Sequence, residues 1–205
     1  MSYFILDIET KPDADLIETY KANVKPDGKL KDPIKIEKDI LKKQDEYRKA
    51  MSVDMDLCDI ICIGIKEVKE DPDLYSLKEM EVWFKDFFSD SGHKIVTFNG
   101  KSFDIPIIIK CGIKQGLDLP YKNLYAMTER FKDNGHIDLM QLLSFGGTFG
   151  KFKSLDAYLR IYLGTQKETL GDDFFATATE DEIKEHCLED LQFTEDLLKK
   201  FRFLL

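Results

Sequence analysis

From Tyr3 to Ile8 the chain is apolar at nearly every position and then runs into charge, the pattern of a buried strand. Asp59-Ile60-Ile61-Cys62-Ile63-Gly64-Ile65 repeats that pattern. A turn at Asp71-Pro72-Asp73 leads to a short third strand around Leu74–Leu77, and the short connection predicts antiparallel pairing of the second and third strands. The period then changes. Met80, Trp83, Phe84, Phe87 and Phe88 share one stripe of a helix over 78–89, ended by Ser91-Gly92. Lys94-Ile95-Val96-Thr97-Phe98 is a fourth strand, and the apolar segment from Phe103 to Ile113 turns helical beyond Pro106, proline being tolerated in a first turn. Asp138 caps a helix start, and Ser154 caps a helix over 155–163 that Gly164 stops. Thr179-Glu180-Asp181-Glu182 has capping-box spacing and opens a long helix to about Phe203.

Residues 11–57 interrupt this order with Pro12, Pro26-Asp27-Gly28 and Asp32-Pro33, then a charged helical stretch near Ile36–Ala50. Too few large apolar residues fall there for a separate core, so the stretch reads as a surface insertion. Three strands, a helix, a strand and then mostly helices predict an α/β mixed sheet flanked by helices, in one domain over 1–205.

Composition narrows the function classes. The chain has 205 residues, 43% hydrophobic and 12% aromatic, which is globular and not disordered. No apolar run approaches the length of a membrane helix, and the N-terminus lacks a basic region and a small-residue cleavage site, so neither a membrane span nor a signal peptide is expected. Cys58, Cys62, Cys111 and Cys187 have neither zinc spacing nor a disulfide framework, and free thiols favour the cytoplasm. A net charge of −9 argues against nonspecific coating of nucleic acid. It does not oppose an enzyme that holds a few nucleotides through cations bound by its own acids. The charge is also uneven: residues 21–49 carry ten Lys or Arg against six Asp or Glu.

The candidate chemistry lies in carboxylates at strand and helix ends. Asp7 and Glu9 are two apart on a strand and therefore point to one face. Two like charges so placed raise each other's pKa unless a cation neutralises them, and hard oxygen ligands suit magnesium or manganese. Taken alone, such a pair is more often a solvated rim than a site. Asp104, in Asn99-Gly100-Lys101-Ser102-Phe103-Asp104, adds a third carboxylate if the first and fourth strands are neighbours, or else caps the next helix. His186 and Asp190 are i and i+4 on the last helix and border its apolar stripe. Asp138 is better read as a helix cap than as a fifth acid. Phe149, Lys151, Phe152 and Lys153 combine aromatic and basic side chains suited to a single strand.

As a set, Asp-x-Glu, Asn-x4-Asp and His-x3-Asp resemble the DEDD superfamily of 3′–5′ exonucleases, and within it the proteins related to the proofreading domain of family-B DNA polymerases. The resemblance is carried by Phe4–Thr10, Ile60–Ile65, Ile95–Pro106, His136–Leu143 and His186–Thr194 and is weakest in the insertion. It implies a ribonuclease H-like fold and two divalent ions, Mg²⁺ or Mn²⁺. Asp7 would bridge them, Glu9 and Asp190 would complete the first site, and Asp104 would hold the second, partly through water. His186 would activate the attacking water; it has the spacing of the family's tyrosine branch and the residue type of the histidine branch. Thr10 and Asn99 would contact the terminal nucleotide, and Phe103 would stack on a base or belong to the core. The implied reaction is hydrolysis of nucleic acid from a 3′ end to 5′-mononucleotides, with single-stranded DNA favoured and RNA possible.

Two other readings stand beside it. One is a non-catalytic nucleic-acid-binding relative. The other is a haloacid-dehalogenase-type phosphatase, since Phe4-Ile5-Leu6-Asp7-Ile8-Glu9-Thr10 approaches that family's Asp-x-Asp-x-Thr strand. Glu9 stands where that family has its second Asp, and Gly171-Asp172-Asp173 follows a polar stretch instead of an apolar strand.

Overall fold

The structure, a computed structural model, describes residues 2–90, 92–148, 151–168, 174 and 178–204. Among these, β1 (Ser2–Pro12), β2 (Cys58–Glu67), β3 (Asp73–Tyr75), β4 (His93–Thr97) and β5 (His136–Asp138) form one sheet in the order β3-β2-β1-β4-β5. Strand β2 is antiparallel to both of its neighbours, while β1, β4 and β5 are parallel. Around the sheet lie α1 (Ala14–Asn23), α2 (Pro33–Met51), α3 (Met80–Ser89), α4 (Asp104–Lys114), α5 (Tyr121–Met127), α6 (Leu139–Leu143), α7 (Leu155–Tyr162) and α8 (Glu180–Phe201). This is the mixed sheet with flanking helices that the hydrophobic pattern predicts.

Helix starts follow the capping residues. Asp138 accepts from the backbone N–H of Gln141 at 3.2 Å, and Ser154 accepts from that of Ala157 at 3.3 Å. At α8, Thr179 and Glu182 exchange a full capping box. Each satisfies amide groups that a bare helix end leaves orphaned.

Alternation along β1 divides the interior in two. Leu6 and Ile8, with Ile63 and Ile65 of β2, pack against Phe84 of α3 and Ile105 and Ile108 of α4. Ile5, with Val96 of β4, packs on the opposite face against Tyr158 of α7 and Leu191 and Leu198 of α8. The β1–β2 register shifts at one point: Glu9 pairs with Cys62 but Thr10 pairs with Ile60. The bulge at Ile61 reverses the facing of everything beyond it. Cys58 consequently meets Cys111 of α4, whose thiol donates to its carbonyl at 3.5 Å, while Cys62 meets Cys187 of α8.

Several elements differ from the expectation. The third strand occupies Asp73–Tyr75, the fourth starts one residue earlier at His93, and α8 ends at Phe201. Ser91, expected to end α3, lies outside the described residues. The insertion is a two-helix hairpin, of which only the second helix is expected from sequence. Helix α1 buries no side chain, so it carries no apolar stripe to read. The short β5 and α5 escape periodicity because each spans too few residues to establish a period.

Candidate active site

The acidic pair sits where the fold brings three elements together. Asp7 and Glu9 project from β1 towards α8. Gly64 of β2 is the partner of Asp7 in the ladder, and it has no side chain for a reason. A Cβ there would lie 2.7 Å from Leu191 Cδ1 and 2.8 Å from Cys187 Sγ. Its absence lets α8 settle on the sheet directly beneath the pair. His186 Nε2 then stands 3.9 Å from Glu9 Oε1, and the Cys187 thiol lies 3.9 Å from the carbonyl of Asp7. Ligand atoms of Asp7, Glu9 and Cys187 fall within 4.8 Å of one another.

Asp104 reaches the same place from another direction. Strands β1 and β4 are neighbours, as its role requires, and β4 runs into a tight turn before α4. Asn99 takes the left-handed conformation in that turn, with φ of 70°. Asp138 clamps it, accepting from the N–H of Asn99 and of Lys101 at 3.1 Å each. Gly100 is required: a Cβ would lie 2.3 Å from Thr97 Oγ1. Thr97 in turn touches His136 at 2.9 Å, whose other nitrogen meets the carbonyl of Met127. Burial holds His136 down to about 4, so its neutral ring donates to Met127 and accepts from Thr97. Asp138 is thus a cap and a turn clamp, in agreement with its reading as a cap. The turn delivers Asp104, buried, as the first residue of α4, its carboxyl held by its own N–H and that of Ile8.

The electrostatics are those of acids crowded without enough compensation. Burial, with the charges of Asp104, Glu9 and Asp190, pushes the Asp7 carboxyl well above the usual range. Burial and Asp190 push Glu9 up to about 9, and burial pushes Asp104 up to about 7. Burial lowers the pKa of His186 against the opposing pull of Asp190. Buried hard oxygens that repel one another form a donor set suited to a divalent cation. Asp7 and Glu9 offer such a donor set, and the charges of Asp104 and Asp190 act on the pair.

One residue here is absent from the sequence reasoning. Lys167 Nζ lies 2.5 Å from each carboxylate oxygen of Asp190, and its charge opposes the upward shifts of Asp7 and Glu9. Its backbone N–H donates to Asp156 of α7 at 3.1 Å, which seats the segment. A lysine between Gln166 and Glu168 has no local signal to distinguish it from a solvated one.

The acids open into a cleft of about 220 Å³ lined by Asp7, Glu9, Thr10, Phe103, His186 and Asp190, with Ser52 and Val53 from the end of the helical hairpin. Thr10 reaches it, but its hydroxyl donates to the carbonyl of Ser52 at 2.6 Å and so fixes that wall. Phe103 both lines the cleft and packs on the core. Asn99 lies in the turn, outside the cleft lining. Edge-on to His186 is the ring of Phe174, at 5.8 Å. In the aromatic-basic loop, Arg130 lies over the Phe152 ring at 5.8 Å, and Phe149 is outside the described residues. So is Gly171-Asp172-Asp173, on which the phosphatase reading depends.

Comparison with known proteins places the fold and the family. The fold is similar to the family B DNA polymerase from the hyperthermophilic archaeon Pyrobaculum calidifontis, with a TM-score of 0.56 at 14% identity over 98% of the chain. The chain spans only 24% of that polymerase. No curated protein matches it in sequence. Residues 55–194, which hold Asp104, Lys167, His186 and Asp190 but not β1 or the hairpin, match a family described as predicted 3′–5′ exonucleases related to the exonuclease domain of PolB, and the chain belongs to that family.

Proposed function

We propose that the protein is a metal-dependent 3′–5′ exonuclease that hydrolyses phosphodiesters of nucleic acid, single-stranded 3′ ends of DNA first, to 5′-mononucleotides. The observation that carries this reading is the convergence of Asp7, Glu9 and Asp190 around one cleft, with the buried carboxylate of Asp104 acting on Asp7 and a histidine and a lysine at their side. Mg²⁺ or Mn²⁺ held by these carboxylates would neutralise them and lower the pKa of a bound water.

The chain's own side chains do the rest. The lowered pKa of His186 leaves its ring neutral, and hence a proton acceptor, at neutral pH. It stands beside Glu9, where a water attacking a bound phosphate gives up its proton. Lys167 brings a fixed ammonium to meet phosphate oxygens once the acids are neutralised. Phe103 offers its ring to the terminal base, worth roughly 1–3 kcal/mol per stacked base. Asn99 acts through the turn that aims Asp104.

The test uses 5′-labelled and 3′-labelled oligonucleotides, as single-stranded DNA, duplex DNA and RNA, with magnesium, manganese or EDTA. The 5′-labelled single strand shortens stepwise, the 3′ label leaves as a mononucleotide, and EDTA stops both. Cleavage of a circular single strand would overturn the 3′-end reading, and equal rates in EDTA would overturn the metal site.

A further inference from the structure

The α1–α2 hairpin has no core that explains it. Helix α1 buries no side chain and α2 buries only Met51. What it does have is position. Strand β1 ends at Pro12, just past Glu9 and Thr10, and α1 begins at Ala14; α2 returns to Ser52 and Val53, which line the acidic cleft. The hairpin therefore rises from the rim of the site. At 1.5 Å per residue, the 19 residues of α2 reach about 28 Å from it.

Its surface suits one kind of partner. A groove of about 510 Å³ runs between the helices, walled by Tyr20, Asn23, Lys25, Lys43 and Tyr47. Tyr20 and Tyr47 stack at 5.5 Å, and Tyr47 is 42% exposed, so one aromatic face is open to a ligand. At the groove Lys25, and beyond it Lys29, Lys31, Lys35 and Lys38, are exposed and, among the described residues, lack the ion-pair partners that hold Lys21, Lys42 and Lys43. This free positive charge is concentrated on one appendage of a chain whose net charge is −9. An exposed aromatic face beside free basic side chains is what a single-stranded nucleic acid requires, stacking for its bases and cations for its phosphates.

We infer that the α1–α2 hairpin is a second binding site for single-stranded nucleic acid, holding the strand several nucleotides upstream of the 3′ end that enters the acidic cleft. This rests on the exonuclease reading for the strand's direction, but the binding itself does not. The site makes affinity depend on strand length: short strands reach only the cleft, and long ones span both.

The experiment measures anisotropy of a labelled 20-mer single strand and KM for hydrolysis of a trimer and a 20-mer, across a salt series. Wild type is compared with a chain carrying Lys25→Gln, Lys29→Gln, Lys31→Gln, Lys35→Gln and Lys38→Gln, and with Tyr47→Phe and Tyr47→Ala. The lysine variant loses affinity for the 20-mer by on the order of tenfold or more, with a salt slope shallower by roughly 0.7 per lost phosphate contact. Its KM for the trimer does not follow. Tyr47→Phe keeps the stack and the affinity, while Tyr47→Ala lowers affinity. Unchanged 20-mer affinity and salt slope in the lysine variant would overturn the inference. If no variant, nor wild type, hydrolyses either strand, the exonuclease reading fails, and a binding difference between wild type and the lysine variant would still uphold the hairpin site.

Discussion

The two faces of the sheet are built from the same strands and do opposite work. On the α4 side, Leu6, Ile8, Ile63 and Ile65 meet an apolar cluster in which the Trp83 ring contacts both Phe84 and Phe87. On the α8 side, the residues between them place Asp7, Glu9 and Lys66 against a helix carrying His186, Asp190 and Glu195. There the polar groups divide. Glu195 is satisfied by Lys66, Lys199 and the N–H of Lys69 and is held below the usual carboxylate range despite its burial. Asp7 and Glu9 are opposed only weakly by Lys167 and Asp104 only by two backbone N–H groups, and all three are held above it. The same burial thus gives a structural ion network at one end of α8 and a strained acid cluster at the other. On the proposed function, a site that receives cations and phosphate is left under-compensated, at a cost in stability that the apolar face offsets.

The largest way to break this comparison is Asp7→Ala. Release of mononucleotides should fall by roughly 10⁴-fold, about 5.4 kcal/mol of activation free energy, while thermal unfolding in EDTA shifts upward, because a repelling charge is gone. A variant as active as wild type would remove Asp7 from the site. On the other face, Phe84→Ala should cost about 3–5 kcal/mol in denaturant unfolding, with activity per folded molecule retained. Equal losses of activity and stability in both variants would erase the division of labour.

Gly64→Ala tests how the faces are joined. It inserts a methyl group between Asp7 and α8, so it should cost roughly 1–3 kcal/mol of stability and displace His186 and Asp190. The loss of turnover should exceed that of Leu191→Ala, which loosens the same contact without pushing.

The smallest effect sharpens the electrostatic contrast. Glu9 is raised from 4.5 to about 9 and Asp104 from 3.8 to about 7, so the folded chain keeps protons that the unfolded chain releases. The stability attached to these groups is therefore fully present below pH 4 and is lost progressively as pH rises through 7 and 9. In EDTA, stability should decline across that window, and Glu9→Gln should flatten the decline by about 1–2 kcal/mol. Manganese should restore wild type at pH 8 but act weakly on Glu9→Gln. A rising profile in wild type would show that the acids are compensated already.

Much of this was legible in the chain alone, for local reasons. A short continuous apolar run in Tyr3–Ile8 and period 3.6 in Met80–Phe88 set strand and helix, and Asp138, Ser154 and Thr179 cap the helices they precede. The spacing of Asp7 with Glu9 and of His186 with Asp190 puts each pair on one face, whatever the rest of the fold does. What only the tertiary structure decided depends on residues far apart in the chain. The bulge at Ile61 turns Cys62 towards α8 and Cys58 towards α4. Gly64 admits α8 against Asp7, and Asp138 aims Asp104 across two strands. Lys167 joins the acids from a segment with no pattern of its own, and the hairpin becomes a rim of the cleft. No local propensity encodes such meetings, because they are made by strand pairing and helix packing.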